Sequence, residues 1–260
     1  INQDQKTSLN SNEILIEMID HLKRRNLVNS RIENVGNLDD DKNFFWFHVD
    51  GEEKIATENL VPGKQVYKEK LVLKKGSEYR LWDPFRSKLA ASVMNGLTNF
   101  PFNKKSNILY LGVSTGTTIS HVSEIIGPNG IVFGVEHSSR VARDFLDRVA
   151  SHRKNIIPII QDARKPQEYF SVFKKVDVAY VDIAQPDQTD IAITNCKMYL
   201  KSNGYLFLVI KTRSIDVTKD PKKVVSNEIK KLEPFFEIKQ IINLQPYDKD
   251  HVIVIAVFLG

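Results

Sequence analysis

The stretch that decides the fold is "YLGVSTGTTISHVSEIIGPNGIVFGVEHS", residues 110–138. An apolar run ends at Gly112, a turn contains Gly116, a helix-compatible segment follows, and a second apolar run ends at Glu136. This order predicts a strand, a turn, a helix and a parallel strand, which is the repeating unit of an open α/β sheet. In such sheets the ligand lies beyond the carboxyl ends of the strands, where glycines let the backbone approach it. We therefore expect Gly112 and Gly116 at a ligand site.

Apolar runs continue from this stretch to the C terminus. Five of them are separated by segments that can carry helices, which predicts parallel strands: "NILYLG", "IVFGVE", "IIPIIQD", "VDVAYVD" and "YLFLVIK". The last two runs, "EIKQIINL" and "HVIVIAVFL", are joined only by "QPYDKD". This connection is too short for a right-handed crossover, so the two runs predict an antiparallel hairpin. The pattern favours the α/β class, with a seven-stranded, Rossmann-like sheet of the S-adenosylmethionine-dependent methyltransferase type over a dinucleotide-binding sheet.

Three regions are predicted along the chain. Residues 1–43 form an N-terminal extension with one amphipathic helix in "NEILIEMIDHLKRRN", followed by a polar linker. Residues 44–82 consist of short β-branched and aromatic segments, which predict a small antiparallel β domain. Its turn signals are Asp50-Gly51, Pro62-Gly63 and Lys75-Gly76. Residues 83–260 form the predicted methyltransferase domain.

A helix is predicted between the small domain and the sheet. Asp83 and Pro84 supply an N-cap and a first helical residue, and "FRSKLAASVMNGL" continues the helix to Gly96. Lys88 lies within this helix, and its immediate neighbours indicate only a solvated position.

The composition excludes several classes of protein. The chain has 260 residues, of which 42% are hydrophobic, enough for a full core. No apolar stretch approaches the roughly 20 residues of a membrane span, and the first residues lack the apolar segment of a signal peptide, so we expect no membrane partner and a cytoplasmic location. The single cysteine, Cys196, excludes a disulfide framework and a cysteine-based zinc site, and we predict no metal. The net charge of +5 weakly favours an anionic partner such as nucleic acid.

Two acids at strand ends indicate the ligand. The spacing G-x-x-x-G differs from the G-x-G-x-x-G expected for a pyrophosphate, whereas Glu136 could accept both hydroxyls of a ribose. Asp162, in "IIPIIQDARKP", ends the third strand, where an adenine amino group could donate to it. A glycine turn with these two acids suits S-adenosylmethionine. The simpler interpretations are a helix cap for the threonines after Gly116 and solvated carboxylates for the two acids.

Three further polar residues are predicted to meet at the same edge of the sheet. Asp182 closes the fourth strand in "VAYVDIAQPDQ", and Lys211 closes the fifth in "FLVIKTR". His251 begins the last strand, which is antiparallel, so it starts at the edge where the others end. Individually, each could be an ordinary solvated or turn residue.

This trio suits methyl transfer to an oxygen. A hydroxyl is a weak nucleophile, so a lysine, or a lysine and an aspartate together, must position it and take its proton. The residues do not assign the base. Methyltransferases that act on nitrogen or carbon often carry an aromatic Asn/Asp-Pro-Pro-Tyr motif where this chain has "DIAQPDQ". The difference favours an oxygen acceptor.

Several long motifs resemble the fibrillarin family, the RNA 2'-O-methyltransferases of box C/D ribonucleoproteins. They are "GVSTGTTISHVSEIIGP", "NIIPIIQDARKPQEY", "VDVAYVDIAQPDQ" and "YDKDHVIV". The segments "GEEKIATENLVPGKQVYKEK" and "YRLWDPFRSKLAA" are similar to the small N-terminal domain and first helix of the archaeal form. The resemblance covers about residues 44–259.

The resemblance implies a cofactor, an activity, partners and site residues. It implies S-adenosylmethionine-dependent 2'-O-methylation of ribose in rRNA and tRNA, within an assembly of a Nop-type scaffold protein, a kink-turn-binding protein and a box C/D guide RNA that pairs with the target. The family's cofactor contacts fall on Thr117, Thr118, Glu136, His137, Asp162, Ala163, Asp182, Ile183, Ala184 and Gln185. Its catalytic set falls on Lys88, Asp182, Lys211 and His251.

The chain also departs from the family pattern. His137 stands where the family commonly has an aromatic residue, and "SSR" replaces its usual "SHR". The Gly/Arg-rich arm of the eukaryotic members is absent from this sequence, which favours an archaeal-type protein. Two alternatives stay open: methylation of a protein glutamine side chain, and a non-catalytic RNA-binding subunit. The complete Lys-Asp-Lys-His set argues against the second.

Overall fold

Two β-sheets organise the chain, and each is built by a different part of the sequence. The computed structural model describes residues 32–33, 43–172 and 175–260. The amphipathic helix predicted in "NEILIEMIDHLKRRN" lies outside these residues.

The small sheet is antiparallel, with the strand order β1-β2-β3-β5-β4. Its strands are β1 Ile32–Glu33, β2 Phe45–Val49, β3 Glu52–Glu58, β4 Leu71–Lys74 and β5 Ser77–Leu81. Asp50-Gly51 and Lys75-Gly76 close hairpins as predicted, because both residues of each pair have the positive φ that a type I′ turn requires. Pro62-Gly63 lies instead in the long connection from β3 to β4, since β3 pairs with β5. β1 pairs with β2 and adds a strand before residue 44, where the domain was expected to begin.

The large sheet has seven strands in the order β11-β12-β10-β9-β6-β7-β8. They are β6 Asn107–Leu111, β7 Ile131–Val135, β8 Ile156–Ile159, β9 Val176–Val181, β10 Leu200–Lys211, β11 Phe236–Asn243 and β12 His251–Phe258. The first five pair in parallel, and β12 pairs antiparallel with both β10 and β11. The predicted methyltransferase-type sheet with its C-terminal hairpin is therefore confirmed.

The helices connect these strands. They are α1 Lys88–Met94, α2 Thr117–Ile126, α3 Ser139–Arg148, α4 Gln188–Tyr199, α5 Thr212–Ile215 and α6 Pro221–Leu232, with 3₁₀ segments at Ala150–His152 and Pro166–Val172. In the described part of the chain, none of them has the length and apolar character needed to cross a bilayer.

The predicted start of α1 was wrong. The Asp83 carboxylate accepts the Phe85 N–H at 2.8 Å and builds a turn there instead of capping a helix. Ser87 is the N-cap, and its Oγ accepts the Ala90 N–H at 3.3 Å. Lys88 is therefore the first residue of the helix, and its position depends on what holds Ser87.

A buried ionic network joins the small sheet to α2. Arg80, on β5, donates from Nε to Glu69 at 2.6 Å and from Nη1 to Glu124, on α2, at 2.8 Å. Arg153 donates to the same Glu124 oxygen at 2.8 Å. Burial alone would lower the pKa of Arg80, but the carboxylates of Glu124 and Glu69 outweigh it and raise that pKa. The guanidinium therefore stays charged, and two cations balance two anions in the interior.

His121 extends this network toward α1. Its Nδ1 lies 2.7 Å from the Thr57 hydroxyl, and its Nε2 lies 2.8 Å from the Tyr67 hydroxyl. Burial, reinforced by two nearby arginines, holds the pKa of His121 well below its usual range, so the ring is neutral. The Tyr67 hydroxyl also accepts the N–H of Asp83 at 3.2 Å. The network thus anchors the segment that leads into α1.

Candidate functional site

The loop after β6 passes very close to the loop after β9. Gly112 has a φ of +82°, and a Cβ at this position would lie 2.7 Å from the Asp182 carbonyl oxygen and 2.8 Å from Ile183 Cγ2. Both the left-handed backbone and the lack of space require glycine here. The backbones of these two loops therefore lie against each other at one wall of a cavity, at the carboxyl edge of the sheet.

Glu136 provides a fixed carboxylate beside this loop. It follows β7, and its side chain is buried. Its Oε2 accepts the N–H of Ser114 at 3.1 Å and its Oε1 accepts the N–H of Ser138 at 2.9 Å. Each carboxylate oxygen has a second lone pair, so the group can still accept two hydroxyls. His137, with a side chain 67% exposed, lies at the rim with its Nδ1 3.4 Å from Glu136.

Asp162 follows β8, and its Oδ1 accepts the N–H of Arg164 at 2.9 Å. Arg164 then reaches across to the loop after β9, where it donates to the two oxygens of Asp187 at 2.7 and 2.9 Å and to Gln185 at 2.8 Å. This bidentate contact ties together the two loops that carry Asp162 and Gln185. Sequence reasoning missed Arg164, because only the fold brings "DARKP" next to "QPDQ".

A cavity of about 350 Å³ opens at this edge. The predicted cofactor residues that line it are Gly112, Glu136, His137, Asp162, Ala163, Asp182, Ile183, Ala184 and Gln185. Lys211 lines it as well. The structure therefore brings together nine of the predicted cofactor residues around one space.

Gly116, Thr117 and Thr118 are not among the residues that line this cavity. A Cβ on Gly116 would lie 2.5 Å from Val149 Cγ2, so this glycine allows α2 to pack against the end of α3. Thr118 is buried and donates from Oγ1 to Ser87 Oγ at 3.0 Å. Thr117 faces a different cleft. In the described geometry, Gly116 and Thr118 make packing contacts between α1, α2 and α3, and a cofactor role for these three residues stays a prediction.

Asp182 lies between two lysines at the end of the cavity. Lys211 Nζ is 2.6 Å from its Oδ1, and Lys88 Nζ is 3.2 Å from its Oδ2. Lys211 also donates to the Asp182 carbonyl oxygen at 3.0 Å. Lys211 arrives at the end of β10, whereas Lys88 arrives from the start of α1. The Ser87–Thr118 hydrogen bond thus places Lys88 against the strand edge.

His251 joins this cluster through an acid that sequence reasoning missed. It pairs in register with Lys211 across β10 and β12, and its Nδ1 lies 2.5 Å from Asp248. Asp248 is in turn 3.8 Å from Lys88 Nζ. Burial opposes ionisation of Asp248, but its hydrogen bond and charge interaction with His251, together with Lys88 and Lys211, hold its pKa below the usual value. Its place in "YDKDHVIV", three residues before His251, was the available signal.

This arrangement can hold a nucleoside derivative and present a hydroxyl to it. Glu136 and Asp162 offer acceptors on one side of the cavity, and Asp182 holds two ammonium groups at the other. Within the residues that the structure describes, no group of three or more His, Cys, Asp or Glu side chains could hold a metal ion.

Comparisons of sequence point to one family. A sequence model of the fibrillarin family, described as Fibrillarin, matches residues 36–259. The chain is 57% identical over 212 residues to the fibrillarin-like rRNA/tRNA 2'-O-methyltransferase of Saccharolobus islandicus. That alignment covers 81% of this chain and 91% of the relative.

Solved structures agree with the sequence comparisons. Aeropyrum pernix fibrillarin, in complex with natively bound S-adenosyl-L-methionine, is similar with a TM-score of 0.81 and 43% identity, over 88% of this chain and 100% of that chain. A chain of a fibrillarin/Nop5p complex is similar with a TM-score of 0.73 and 35% identity, over 82% of this chain and 97% of that chain.

Proposed function

This chain belongs to the fibrillarin family, and from that membership we propose that it transfers methyl groups from S-adenosylmethionine to ribose 2'-hydroxyls of rRNA and tRNA. The observation that carries the proposal is the pair of lysines on Asp182 at the end of the 350 Å³ cavity. It supplies charged groups where an acceptor hydroxyl must meet the cofactor. The name of the Saccharolobus relative and the ligand of the Aeropyrum structure support the same reaction.

The residues around the cavity fit S-adenosylmethionine. Gly112 lets the loop after β6 lie directly against the loop after β9 at the cavity wall, and Glu136 keeps a free lone pair on each oxygen for the two ribose hydroxyls. Asp162 can accept the adenine amino group, and the exposed His137 ring can cover the base. When bound, S-adenosylmethionine supplies a methyl group on a sulfonium, which an oxygen nucleophile can take in line.

The lysine–aspartate cluster acts on the acceptor. A ribose hydroxyl must be oriented and must lose its proton to become a competent nucleophile. Asp182 holds both ammonium groups in place, while Asp248 orients the His251 ring from the other side of Lys88. Lys88 and His251 are not among the residues that line the cofactor cavity, which supports a role for them on the acceptor side. We assign proton removal and orientation of the hydroxyl to this cluster as a unit.

Target choice is proposed to lie outside this chain. The similarity to a fibrillarin that was solved with Nop5p supports a Nop-type scaffold partner. A box C/D guide RNA, paired with the target rRNA or tRNA, and a kink-turn-binding protein complete the proposed assembly. In this arrangement base pairing selects the nucleotide, and this chain supplies the cofactor and the catalytic cluster.

Reconstitution tests the proposed function. The chain should be combined with a Nop-type protein, a kink-turn-binding protein, a box C/D guide RNA and labelled S-adenosylmethionine. We expect methylation at the guided ribose, and only weak, unselective methylation when the chain is alone. Methyl transfer to a protein glutamine in place of ribose, or equal site-specific activity on naked RNA without partners, would contradict the proposal.

Glu136→Ala and Asp162→Ala should each weaken S-adenosylmethionine binding. Each change removes charge-assisted hydrogen bonds worth about 1.5–3 kcal/mol, which corresponds to an increase in Kd of about 10- to 150-fold. Isothermal titration calorimetry measures the effect. Asp144→Ala, which removes an exposed acid on α3 away from the cavity, is the matched control. Unchanged affinity in both cavity variants would mean that the cavity holds another ligand.

A further inference from the structure

A second cleft, of about 440 Å³, lies at the start of α2. The described residues that line it are Val66, Tyr67, Lys68, Arg86, Thr115, Thr117 and Arg148. Three of them are cations, three carry hydroxyls and none is acidic. The cleft therefore has the composition of a site for an anion.

The three cations reach the cleft from separate parts of the fold. Lys68 lies in the connection between β3 and β4, Arg86 lies just before α1, and Arg148 ends α3. Among the described residues, none of these side chains has an ion-pair or hydrogen-bond partner, whereas Arg80 and Arg164 are each paired with carboxylates. Like charges that face one space repel each other, so an anion bound between them would be stabilised.

The backbone at Lys68 is held in an unfavourable conformation. Its φ is +67°, in the left-handed region that lysine rarely adopts. The buried carboxylate of Glu69 holds the loop by accepting the N–H groups of Val66 and Tyr67, at 2.7 to 3.1 Å, and it is itself paired with Arg80. The loop therefore keeps an unfavourable backbone conformation that places Lys68 at the cleft. Backbone strain of this kind is common at functional positions.

The cleft and the lysine–aspartate cluster are carried by neighbouring residues of the same two segments. Arg86 is two residues before Lys88, and Thr117 precedes Thr118, whose hydroxyl is bonded to Ser87. An RNA strand whose ribose lies at Lys88 has a phosphate on each side of that ribose. Because Arg86 is so near Lys88 in the chain, we expect one of these phosphates to lie at the cleft.

We propose that this cleft binds a backbone phosphodiester of the RNA acceptor strand next to the methylated nucleotide. The inference rests on the proposed function. The planar guanidiniums of Arg86 and Arg148 suit two-point contact with phosphate oxygens, Lys68 adds a point charge, and the hydroxyls of Thr115 and Thr117 can donate. Because these contacts read no base, they position any target sequence that the guide selects.

Salt-dependent RNA binding by the full chain tests the proposal. The probe is a fluorescent single-stranded oligoribonucleotide, and anisotropy gives the affinity over a series of KCl concentrations. We expect Lys68→Asn, Arg86→Gln and Arg148→Gln each to weaken binding and to reduce the slope of log affinity against log salt by about 0.7. Asparagine tolerates a positive φ, so Lys68→Asn removes the charge without straining the loop. Arg143→Gln, an exposed cation on the same helix as Arg148 but outside the cleft, should leave the slope unchanged.

A second probe identifies the phosphate as the ligand. The same oligonucleotide with uncharged methylphosphonate linkages should bind wild type more weakly than the phosphodiester form. The triple cleft variant, which combines Lys68→Asn, Arg86→Gln and Arg148→Gln, should show a smaller difference in affinity between the two oligonucleotides. Equal slopes for the cleft variants and Arg143→Gln, or no measurable binding by wild type, would overturn the proposal. Calorimetry with S-adenosylmethionine and guided methylation by wild type test the proposed function separately from the cleft. If wild type methylates the guided ribose and the triple variant does so with unchanged KM for the RNA, the proposed function stands and only the cleft assignment fails.

Discussion

Replacement of Lys88 by methionine should lower guided ribose methylation by about 10²–10⁴-fold, the usual contribution of a positioned acid–base group, while S-adenosylmethionine affinity stays within a few-fold of wild type. Lys88 contacts Asp182 at 3.2 Å and lies 3.8 Å from Asp248, but it does not line the cofactor cavity. Its loss therefore removes a group that acts on the acceptor. Single-turnover methylation in the assembled particle and calorimetry on the same preparation measure the two quantities.

Two further variants sharpen this prediction. Lys88→Arg keeps a cation beside Asp182 but cannot be deprotonated, so activity should stay low if a neutral lysine takes the proton, and should largely return if only the charge is needed. Lys211→Met should weaken cofactor binding as well as methylation, because Lys211 lines the cavity. Full activity in Lys88→Met, or a loss of cofactor affinity equal to that of Lys211→Met, would contradict the acceptor-side assignment.

The large sheet could be predicted because its signals are local. Each apolar run identifies a strand, and the six-residue connection "QPYDKD" leaves a hairpin as the only way to join the last two. The direction of β12 then places His251 beside Lys211, and the register across β10 and β12 pairs these two residues directly. Strand order and direction are enough for this inference, and no side-chain detail is needed.

Other parts of the site could not be predicted because they depend on contacts between distant segments. Lys88 follows a cap, Ser87, that is held by Thr118, 31 residues further along the chain. The residues around it indicate only a solvated lysine, and only the family resemblance implies a role. Asp248 was missed because a turn carboxylate is usually solvated, and only packing against the cluster distinguishes it. Arg80 in "SEYRLW" gave no sign of burial, since its partner Glu124 is 44 residues away.

Replacement of Arg80 by methionine should lower the free energy of unfolding by about 3–5 kcal/mol, the usual cost of removing one partner of a buried ion pair. The Arg80 side chain is fully buried, and its loss leaves Glu69 without its cationic partner and Glu124 with Arg153 as its remaining arginine partner. Methionine retains much of the apolar volume, so the expected loss reflects the uncompensated carboxylates more than an empty space. Urea denaturation followed by circular dichroism measures the change.

Arg164→Met is the matched control, because Arg164 is also an arginine paired with a carboxylate, in a bidentate contact, but its side chain is 41% exposed. Its loss should cost much less than the loss of Arg80, since water replaces the lost contact. Equal costs for the two variants would show that burial does not set the strength of the Arg80 network.

The network also reaches α1 through His121, Tyr67 and the N–H of Asp83. Arg80→Met should therefore reduce methylation even under conditions where the variant is fully folded; normal turnover there would mean that the network holds the two sheets together without positioning Lys88.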